Sequence, residues 1–282
     1  MEEKGVSFLE KYARTEMWPT IFCPGCGNGI ILSNTFRALE DLHIELDDVV
    51  FVSGIGCSSR LPGYIHADGL HTTHGRAIAF ATGIKAVNSD LQVIVFTGDG
   101  DCAGIGGNHF MHGARRNIDL TVIMVNNFNY GMTGGQSAPT TPRGSITATT
   151  PYSNIEHPFD MCDLAISIGA PFVARCVASK PKETIAIIKR GMQKKGFSFI
   201  EFLSPCVTNY GRRNKLGSIK KLWDWYDEHT ISIEQYNSDL SKADKEQILQ
   251  NNGKMKLGVF QDIDKPEFFE EYTKILQQLQ NE

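Results

Sequence analysis

Hydrophobic residues occur along this chain in short continuous runs, which alternate with longer stretches of mixed character. The runs at residues 47–56, 91–100 and 120–127 each hold five or six strand-forming residues and end at Gly, Asp or Asn. Residues 197–205 form a similar, later run. Runs without polar alternation are typical of strands that are covered on both faces, so these segments are predicted to be buried strands.

The stretches between the runs are long enough for helices. Residues 28–42, 74–88 and 108–118 carry small residues that allow close packing, and residues 181–196 open with Pro and close with Gly. Strand alternating with helix predicts an α/β fold with a doubly wound, mostly parallel sheet. In such a sheet, ligands bind beyond the carboxyl ends of the strands.

The character of the chain changes from about residue 207, where it becomes polar and charged without a clear sheet signal. We therefore predict a cofactor-binding domain over residues 1–215 and a C-terminal extension of helices and loops over residues 216–282. The tryptophans of the extension, Trp223 and Trp225, are expected to pack on the core.

Composition excludes several classes of function. The 282 residues are 41% hydrophobic and carry a formal net charge of −4 without a basic stripe, which argues against nucleic-acid binding. The first residues lack an apolar signal region, and no window approaches the roughly 18 apolar residues of a membrane helix. We therefore expect no membrane contact and a cytoplasmic location, where the seven cysteines are not expected to form structural disulfides.

Polar residues follow two of the predicted strands. The sequence GDGD at residues 98–101 ends one run, and Asn126 and Asn127 end the next. Mg²⁺ prefers oxygen ligands and usually binds one or two carboxylates together with phosphate oxygens. Asp99 lies on a glycine turn that lets phosphate approach the backbone, and a parallel crossover would bring Asn127 beside it.

Each of these two pieces by itself is an ordinary turn sequence. Together, at this spacing, they are similar to the thiamine diphosphate motif. The sequence has no GxxxxGK[ST] for a P-loop, and no GxGxxG followed by an acidic ribose ligand for a dinucleotide site.

Cysteines supply a second candidate site. Cys23 and Cys26 form a C-x-x-C pair, Cys57 follows a predicted strand, and Cys206 lies just beyond the late apolar run. Four thiolates from separate loops suit a 4Fe-4S cluster. For the C-x-x-C pair alone, a zinc site and a thioredoxin-like dithiol are the alternatives. The thiols expected to be core residues without a ligand role are Cys102, Cys162 and Cys176.

Six motifs, in order along the chain, resemble the beta (thiamine diphosphate-binding) subunits of 2-oxoacid:ferredoxin oxidoreductases. They are CPGCGNG at 23–29, GIGCSSR at 54–60, HGRAIAFATGIK at 74–85, GDGD at 98–101, NNFNYGMTGGQ at 126–136 and SPCVTNYGRRNK at 204–215. The resemblance implies oxidative decarboxylation of a 2-oxoacid, with the acyl group passed to coenzyme A. Electrons would leave one at a time through a 4Fe-4S cluster to ferredoxin.

The resemblance also implies roles for individual residues. The Mg²⁺ ligands would be the side chains of Asp99 and Asn127 and the main-chain oxygen of Asn129. The cluster ligands would be Cys23, Cys26, Cys57 and Cys206. The residues expected around thiamine diphosphate are Ile55, Gly56, Cys57, Ser58, His74, Gly75, Arg76, Gly100, Asp101, Gly131 and Met132. Of these, His74 and Arg76 at a helix start are apt donors to a diphosphate.

No residue of this chain is assigned as the carboxylate that activates the aminopyrimidine ring. In the family that glutamate comes from a separate alpha subunit, so we expect a heterodimer or a dimer of heterodimers, and an inactive single chain. Some members carry a lysine where this chain has Gly134, so a coenzyme A contact made by that lysine is lost here.

The substrate is predicted from the segments YGMTGGQ and NYGRRNK, which look most like the 2-oxoglutarate-using members. Pyruvate or a branched-chain 2-oxoacid is the alternative substrate. A non-oxidative thiamine diphosphate-dependent decarboxylase or synthase, and a non-catalytic electron-carrier subunit, are the rival functions.

Overall fold

The computed structural model describes residues 8–238 and 253–281. In these ranges eight strands form one sheet, and helices flank it. The strands are β1 (Val49–Ser53), β2 (Asp68–His71), β3 (Gln92–Gly98), β4 (Leu120–Asn126), β5 (Phe172–Val177), β6 (Phe197–Leu203), β7 (Thr230–Ser232) and β8 (Met255–Asp262). The α-helices are α1 (Phe8–Tyr12), α2 (Asn28–Asp41), α3 (Ala77–Val87), α4 (Gly107–Arg116), α5 (Met161–Ser167), α6 (Pro181–Gln193), α7 (Ile219–Glu228), α8 (Ile233–Ser238) and α9 (Phe268–Gln280).

The order of strands across the sheet is β2-β1-β3-β4-β6-β5-β8-β7. Neighbouring strands are parallel except for β5 and β8, which are antiparallel. From β1 the chain passes to β2 on one side and to β3 on the other. Such a switch point leaves a crevice at the carboxyl ends of the strands. The predicted doubly wound, mostly parallel α/β fold is confirmed.

Side chains of the central strands alternate between two helical layers. Phe51 and Ile94 belong to the core cluster that includes residues of α2 and α6, whereas Val52 and Val95 belong to the cluster with residues of α3, α4 and α5. Because both faces of the sheet are covered, apolar side chains predominate at strand positions that face either layer. This explains why the strands appear as continuous apolar runs.

Four predicted strands and four predicted helices are confirmed, with ends that shift by up to a few residues. They are β1, β3, β4 and β6, and α2, α3, α4 and α6. The structure also contains β2, β5 and α5, which the sequence analysis did not identify. No helix in the part of the chain that the structure describes has the length and apolar content of a membrane span.

The C-terminal extension is where the prediction needs correction. Its helices are present as α7, α8 and α9, but β7 and β8 join the sheet, so a description by helices and loops alone was wrong. Most residues of β8 are only partly buried, so its composition lacks the apolar excess of the central strands. The division of the chain at residue 215 stays a prediction.

Candidate functional site

The loops that follow β1, β2, β3 and β4 line one pocket at the carboxyl ends of these strands. The predicted site residues among its lining are Ile55, Gly56, Cys57, Ser58, His74, Asp99, Gly100, Asp101, Asn127, Asn129, Gly131 and Met132. The lining residues that the sequence analysis missed are Gly98, Tyr130 and Thr133. Since Asp99 and Asn127 come from different strands, the parallel crossover has brought them to one site as expected.

Two predicted residues do not line the pocket. The Gly75 amide donates to Asp101 Oδ1 at 2.7 Å, so it is already used within the protein. Arg76 is exposed, and its guanidinium contacts the imidazole of His109 on α4. The diphosphate contacts expected of Gly75, Arg76 and His74 stay predictions, and of these three residues only His74 lines the pocket.

Asp99 is a buried carboxylate at the base of the pocket. Its Oδ2 accepts a hydrogen bond of 2.7 Å from the Thr140 hydroxyl, and 3% of the residue is exposed. Burial raises the pKa of Asp99 to about 7, and the charge of Glu201 acts in the same direction, against the hydrogen bond from Thr140. A cation in the pocket would stabilise the ionised carboxylate, which is the form that ligates Mg²⁺.

A pair of threonines connects the loop after β3 to the loop after β4. Thr140 binds Asp99, and the hydroxyl of Thr141 donates to the Phe128 carbonyl at 2.7 Å. Phe128 lies between Asn127 and Asn129 and has a left-handed backbone (φ 62°). The two adjacent hydroxyls thereby link the segment that carries Asp99 to the segment that carries Asn127.

Asp101 ties three loops together beneath the pocket. Its Oδ1 accepts from the amides of Ile55 and Gly75 and lies 2.5 Å from His74 Nδ1. Its Oδ2 accepts from the Thr97 hydroxyl at 2.7 Å. With both carboxylate oxygens engaged, Asp101 positions the loops after β1 and β2 and has little capacity left for a ligand.

The asparagine loop after β4 is held from below by β6. Asn126 Nδ2 donates to Glu201 Oε1 at 2.6 Å, and Asn126 Oδ1 accepts from the Phe128 amide at 3.1 Å. Asn127 Oδ1 makes only long contacts, 3.2 and 3.3 Å, with the side-chain and backbone nitrogens of Asn129. Asn126 is therefore a structural residue, whereas Asn127 lines the pocket.

The pocket has the features that a diphosphate and its metal require. A Cβ atom built on Gly56 would have no atom within 4 Å, and the φ of +125° also requires glycine there. A ligand can therefore approach the backbone closely at this point. The carboxylate of Asp99, the amide oxygen of Asn127 and main-chain carbonyl groups form an oxygen-rich donor set of the kind that Mg²⁺ prefers. These residues fit the predicted cofactor, and their metal-binding roles stay predictions.

The four thiols predicted as cluster ligands lie close together beside the pocket. Burial raises the pKa of Cys57 to about 12, and Cys26, Cys206 and Cys23 raise it further by their charge. Burial raises the pKa of Cys26 to about 11, with smaller contributions from Cys206 and Cys23. Cys57 belongs to both the pocket and the thiol group, so the two sites adjoin.

The spacing of the thiols bears on the choice between zinc and an iron-sulfur cluster. Within residues 8–238 and 253–281, no three of these four sulfurs lie within 4.8 Å of one another. A tetrahedral Zn²⁺ with Zn–S bonds of about 2.3 Å would need sulfurs about 3.8 Å apart. The four thiols are therefore not preformed as a mononuclear zinc site, and the iron-sulfur cluster stays a prediction.

The loop of Cys23 and Cys26 is supported by the C-terminal extension. Trp223 Nε1 donates to the Gly25 carbonyl at 3.0 Å, and a Cβ atom at Gly25 would lie 2.4 Å from the Ile219 side chain. Trp223 therefore packs on the core, as predicted, and holds the loop. The sequence offered no signal for this contact, because the two residues are 198 positions apart.

The other cysteines, Cys102, Cys162 and Cys176, are buried, in agreement with their predicted role as core residues. Cys162 lies near Asp160 and Glu201, with ligand atoms within 4.8 Å. Arg175 already bridges these two carboxylates, at 2.7 and 2.6 Å. This group is therefore an internal ion-pair network and not a metal site.

Comparisons with known proteins found a matching family and similar relatives. Residues 54–202 match the family described as thiamine pyrophosphate enzyme, C-terminal TPP binding domain. The 2-oxoglutarate synthase subunit KorB of Methanocaldococcus jannaschii is 52% identical over 272 residues, covering 96% of this chain and 98% of that protein. The beta subunit of a 2-oxoacid:ferredoxin oxidoreductase from Saccharolobus solfataricus is 49% identical over 189 residues, covering 66% of this chain and 62% of that protein.

A solved structure is similar over nearly the whole chain. It is the 2-oxoglutarate:ferredoxin oxidoreductase from Magnetococcus marinus with 2-oxoglutarate, coenzyme A and succinyl-CoA bound. It superimposes with a TM-score of 0.85 at 33% sequence identity and covers 99% of this chain and 92% of that chain.

Proposed function

Because the chain belongs to the family of beta subunits of 2-oxoacid:ferredoxin oxidoreductases, we propose that it is the thiamine diphosphate-binding subunit of a CoA-acylating enzyme that oxidises 2-oxoglutarate. The enzyme would release CO₂, pass the succinyl group to coenzyme A and deliver electrons to ferredoxin. The observation that carries this proposal is the junction at Cys57, where an oxygen-lined pocket meets a group of four thiols.

Each part of the pocket has a task in this reaction. Thiamine diphosphate, when bound, supplies the carbanion chemistry of decarboxylation. Asp99, Asn127 and the main-chain oxygen of Asn129 would hold Mg²⁺, and the open backbone at Gly56 would admit the diphosphate. His74, oriented by Asp101, would donate a hydrogen bond to it.

The four thiols give the subunit its route for electrons. Cys23, Cys26, Cys57 and Cys206 would hold a 4Fe-4S cluster, which accepts electrons singly as the reaction requires. Because Cys57 also lines the pocket, the cluster would lie next to the cofactor. A non-oxidative thiamine enzyme has no use for this group of thiols.

Within the described residues, the pocket offers no free carboxylate to activate the aminopyrimidine ring, and this supports a partner subunit. Among the pocket-lining residues of the described chain, the only carboxylates are Asp99 and Asp101. Asp99 would ligate the metal, and Asp101 is engaged by Ile55, His74, Gly75 and Thr97. A partner subunit would therefore supply the carboxylate that activates the aminopyrimidine, in a heterodimer or a dimer of heterodimers.

The choice of 2-oxoglutarate rests on the names of the relatives. The protein from Methanothermobacter marburgensis, 50% identical over 257 residues, is likewise a 2-oxoglutarate synthase subunit. The solved relative from Magnetococcus marinus holds 2-oxoglutarate and succinyl-CoA. Both agree with the substrate that the segments YGMTGGQ and NYGRRNK predict.

The test is an assay of the native complex, purified without oxygen, against a panel of 2-oxoacids with a viologen as electron acceptor. We expect CoA-dependent reduction that is fastest with 2-oxoglutarate. A preference for pyruvate or a branched-chain 2-oxoacid would refute the substrate assignment. Decarboxylation without acceptor reduction would refute the oxidative function altogether.

A further inference from the structure

The four thiols extend from the pocket to the protein surface. Cys57 lines the pocket, whereas Cys23 is the exposed member of the group and Cys26 and Cys206 are half-buried. Thr208 donates to Cys23 Sγ at 3.1 Å, which brings the segment after Cys206 to the same surface. The side of the thiol group nearest to solvent is therefore the side of Cys23.

Exposed apolar side chains lie immediately before Cys23. The exposed fractions of Met17, Trp18 and Ile21 are 55%, 44% and 58%. The segment is held in place, because the Ile21 amide donates to Tyr64 Oη at 2.9 Å and Phe22 packs edge-on against the Tyr64 ring. Large apolar residues that are exposed together on an ordered segment are typical of a contact surface.

The sequence segments that carry the four thiols differ in the sign of their charge from the whole chain. Residues 17–39, 49–67 and 204–223, which carry the four cysteines, contain no Asp or Glu, although the chain has a net charge of −4. The exposed basic residues of the last segment are Arg212, Lys215, Lys220 and Lys221. This segment contacts the cysteine loop, since Ile219 packs on Gly25. The first acidic residue beyond it, Asp224, pairs with Lys220 at 2.8 Å.

We propose that this surface, the Cys23 face, docks the acidic electron-carrier protein that receives the electrons. The Cys23 face consists of Met17, Trp18, Ile21, Lys220 and Lys221 around Cys23. The inference rests on the proposed function, because it requires a cluster on the four thiols and a ferredoxin as the acceptor. It adds where the acceptor binds and which side chains bind it.

The composition of the Cys23 face suits a brief encounter between two redox proteins. A basic rim steers an acidic partner and raises the rate of association, and a small apolar centre excludes water at the contact. Electron-transfer complexes are small and weak, so a few exposed apolar side chains are sufficient. The acidic carrier would bind on the side where the thiols are nearest to solvent.

The test compares charge-reversal variants in the native complex. Lys220→Glu/Lys221→Glu removes the rim charge next to the thiols, and a glutamate is favourable near the start of α7. The matched control is Lys274→Glu on α9, because Lys274 is also exposed and also pairs with an acid on its own helix, Glu271. Ile21→Ser tests the apolar centre, with Val87→Ser as the control for another exposed apolar residue.

Two measurements are made with a purified acidic ferredoxin. They are its dissociation constant, by calorimetry at low and high salt, and its apparent KM in turnover. We expect the double charge reversal to raise both by about tenfold at low salt, and to reduce their dependence on salt. Ile21→Ser is expected to raise both values at either salt concentration, and the two controls are expected to match the wild type.

Two further measurements on each variant distinguish weaker docking from damage to the active site: turnover with viologen and the visible absorbance of the cluster. Both should stay at wild-type values if only docking is affected. The docking role of the Cys23 face would be refuted if Lys274→Glu had the same effect as the double variant. It would also be refuted if all variants kept the wild-type dissociation constant. A native complex that reduces neither viologen nor ferredoxin with any 2-oxoacid would instead overturn the proposed function.

Discussion

At the scale of single residues, the site depends on side chains that orient other side chains. Asp99 and Asn127 are the residues that the motif identifies, but residues outside the motif hold Asp99 and Asn126, the neighbour of Asn127. Thr140 binds the Asp99 carboxylate, and Glu201 fixes Asn126 beneath the asparagine loop. Supporting contacts of this kind set the geometry of a metal site and its affinity.

Replacement of Asp99 tests the metal site directly. We expect Asp99→Ala to abolish Mg²⁺-dependent binding of thiamine diphosphate, because its carboxylate is the one charged Mg²⁺ ligand proposed in this chain. Isothermal calorimetry with both ligands measures this. Asp48→Ala is the control, since Asp48 is exposed and precedes β1 at the opposite end of the sheet. Binding by Asp99→Ala with wild-type affinity would refute the assignment.

Replacement of Thr140 tests its role in positioning Asp99. Thr140→Val keeps the shape of the side chain and removes the donor, so we expect the dissociation constant of Mg²⁺ with thiamine diphosphate to rise about tenfold. Thr140→Ser retains the hydroxyl and should stay close to the wild type. If the valine and serine variants bind equally well, the hydrogen bond to Asp99 has no part in metal binding.

At the scale of elements, an ion-pair network joins β4, β5, β6 and α5. Arg175 in β5 binds Glu201 in β6 and Asp160, which caps the N-terminus of α5, and Glu201 also binds Asn126 at the end of β4. A buried charge without its partner is costly, so the members of the network depend on one another. The network thereby couples the stability of the sheet to the position of the asparagine loop.

Removal of one member should have a large effect on stability. We expect Arg175→Met to lower the free energy of unfolding by about 3–5 kcal/mol, because Glu201 would stay buried without its cation. Arg175→Met/Glu201→Gln should recover part of this loss. Arg190→Met is the control, since Arg190 forms an exposed ion pair with Asp262 on the same half of the sheet. Urea unfolding followed by circular dichroism measures the differences, and equal losses for the two single Arg variants would contradict a buried network.

The same network makes a prediction about pH. Burial alone would raise the pKa of Asp160, but the charge of Arg175 and the amides of Asp163 and Cys162 outweigh it and lower the pKa. Because its pKa is lower in the folded state, ionised Asp160 stabilises the fold at pH values above its unfolded pKa. This contribution is lost as the pH falls through the folded pKa. The stability difference between the wild type and Asp160→Asn should therefore be constant above about pH 5 and shrink below about pH 4. If the stability difference between the two proteins instead grew as the pH fell, the pKa of Asp160 would be raised in the folded state and the prediction would be wrong.

At the scale of the whole molecule, the proposed function gives this chain the cofactor and the cluster but not the complete active site. The proteins that it resembles over nearly their full length are subunits of larger enzymes. The pocket opens at the carboxyl ends of the strands, and its two carboxylates are already engaged. This agrees with the proposal that a second chain supplies the carboxylate that activates the aminopyrimidine.

The isolated chain should consequently bind thiamine diphosphate without turning over a 2-oxoacid. We expect full activity on addition of the purified partner subunit, measured as CoA-dependent viologen reduction. A sample of the chain with Asp99→Ala and the same partner controls for activity contributed by the partner. Turnover by the isolated wild-type chain at the rate of the complex would refute the need for a partner.

The central part of the fold was predictable because its signals are local. The strands β1, β3, β4 and β6 are covered on both faces, so each is mostly apolar, although β6 also carries Ser198 and Glu201. The strand β5 was missed; it carries Arg175, which is tolerated in a buried strand because Asp160 and Glu201 neutralise it. The strand β8 was missed because it is only partly buried.

The contacts of the predicted site residues were less predictable. Asp99 and Asn127 belong to a motif and were found, whereas Thr140 lies 41 positions from the carboxylate it binds. Arg76 was expected at the cofactor because of its place in a motif, but its contact is with His109. A sequence pattern identifies which residues are near a site, and it does not determine the direction of a long side chain.

The sequence by itself determined the alternation of strands and helices and, through its motifs, the family and the residues predicted as metal and cluster ligands, because each of these signals lies in neighbouring residues or in a motif. Only the tertiary structure decided that Asp101 is a structural tie, that α7 supports the cysteine loop, and that the exposed thiol lies beside apolar and basic side chains. Those relations join residues far apart in the chain, and burial and hydrogen bonding select them only when the whole sheet has formed.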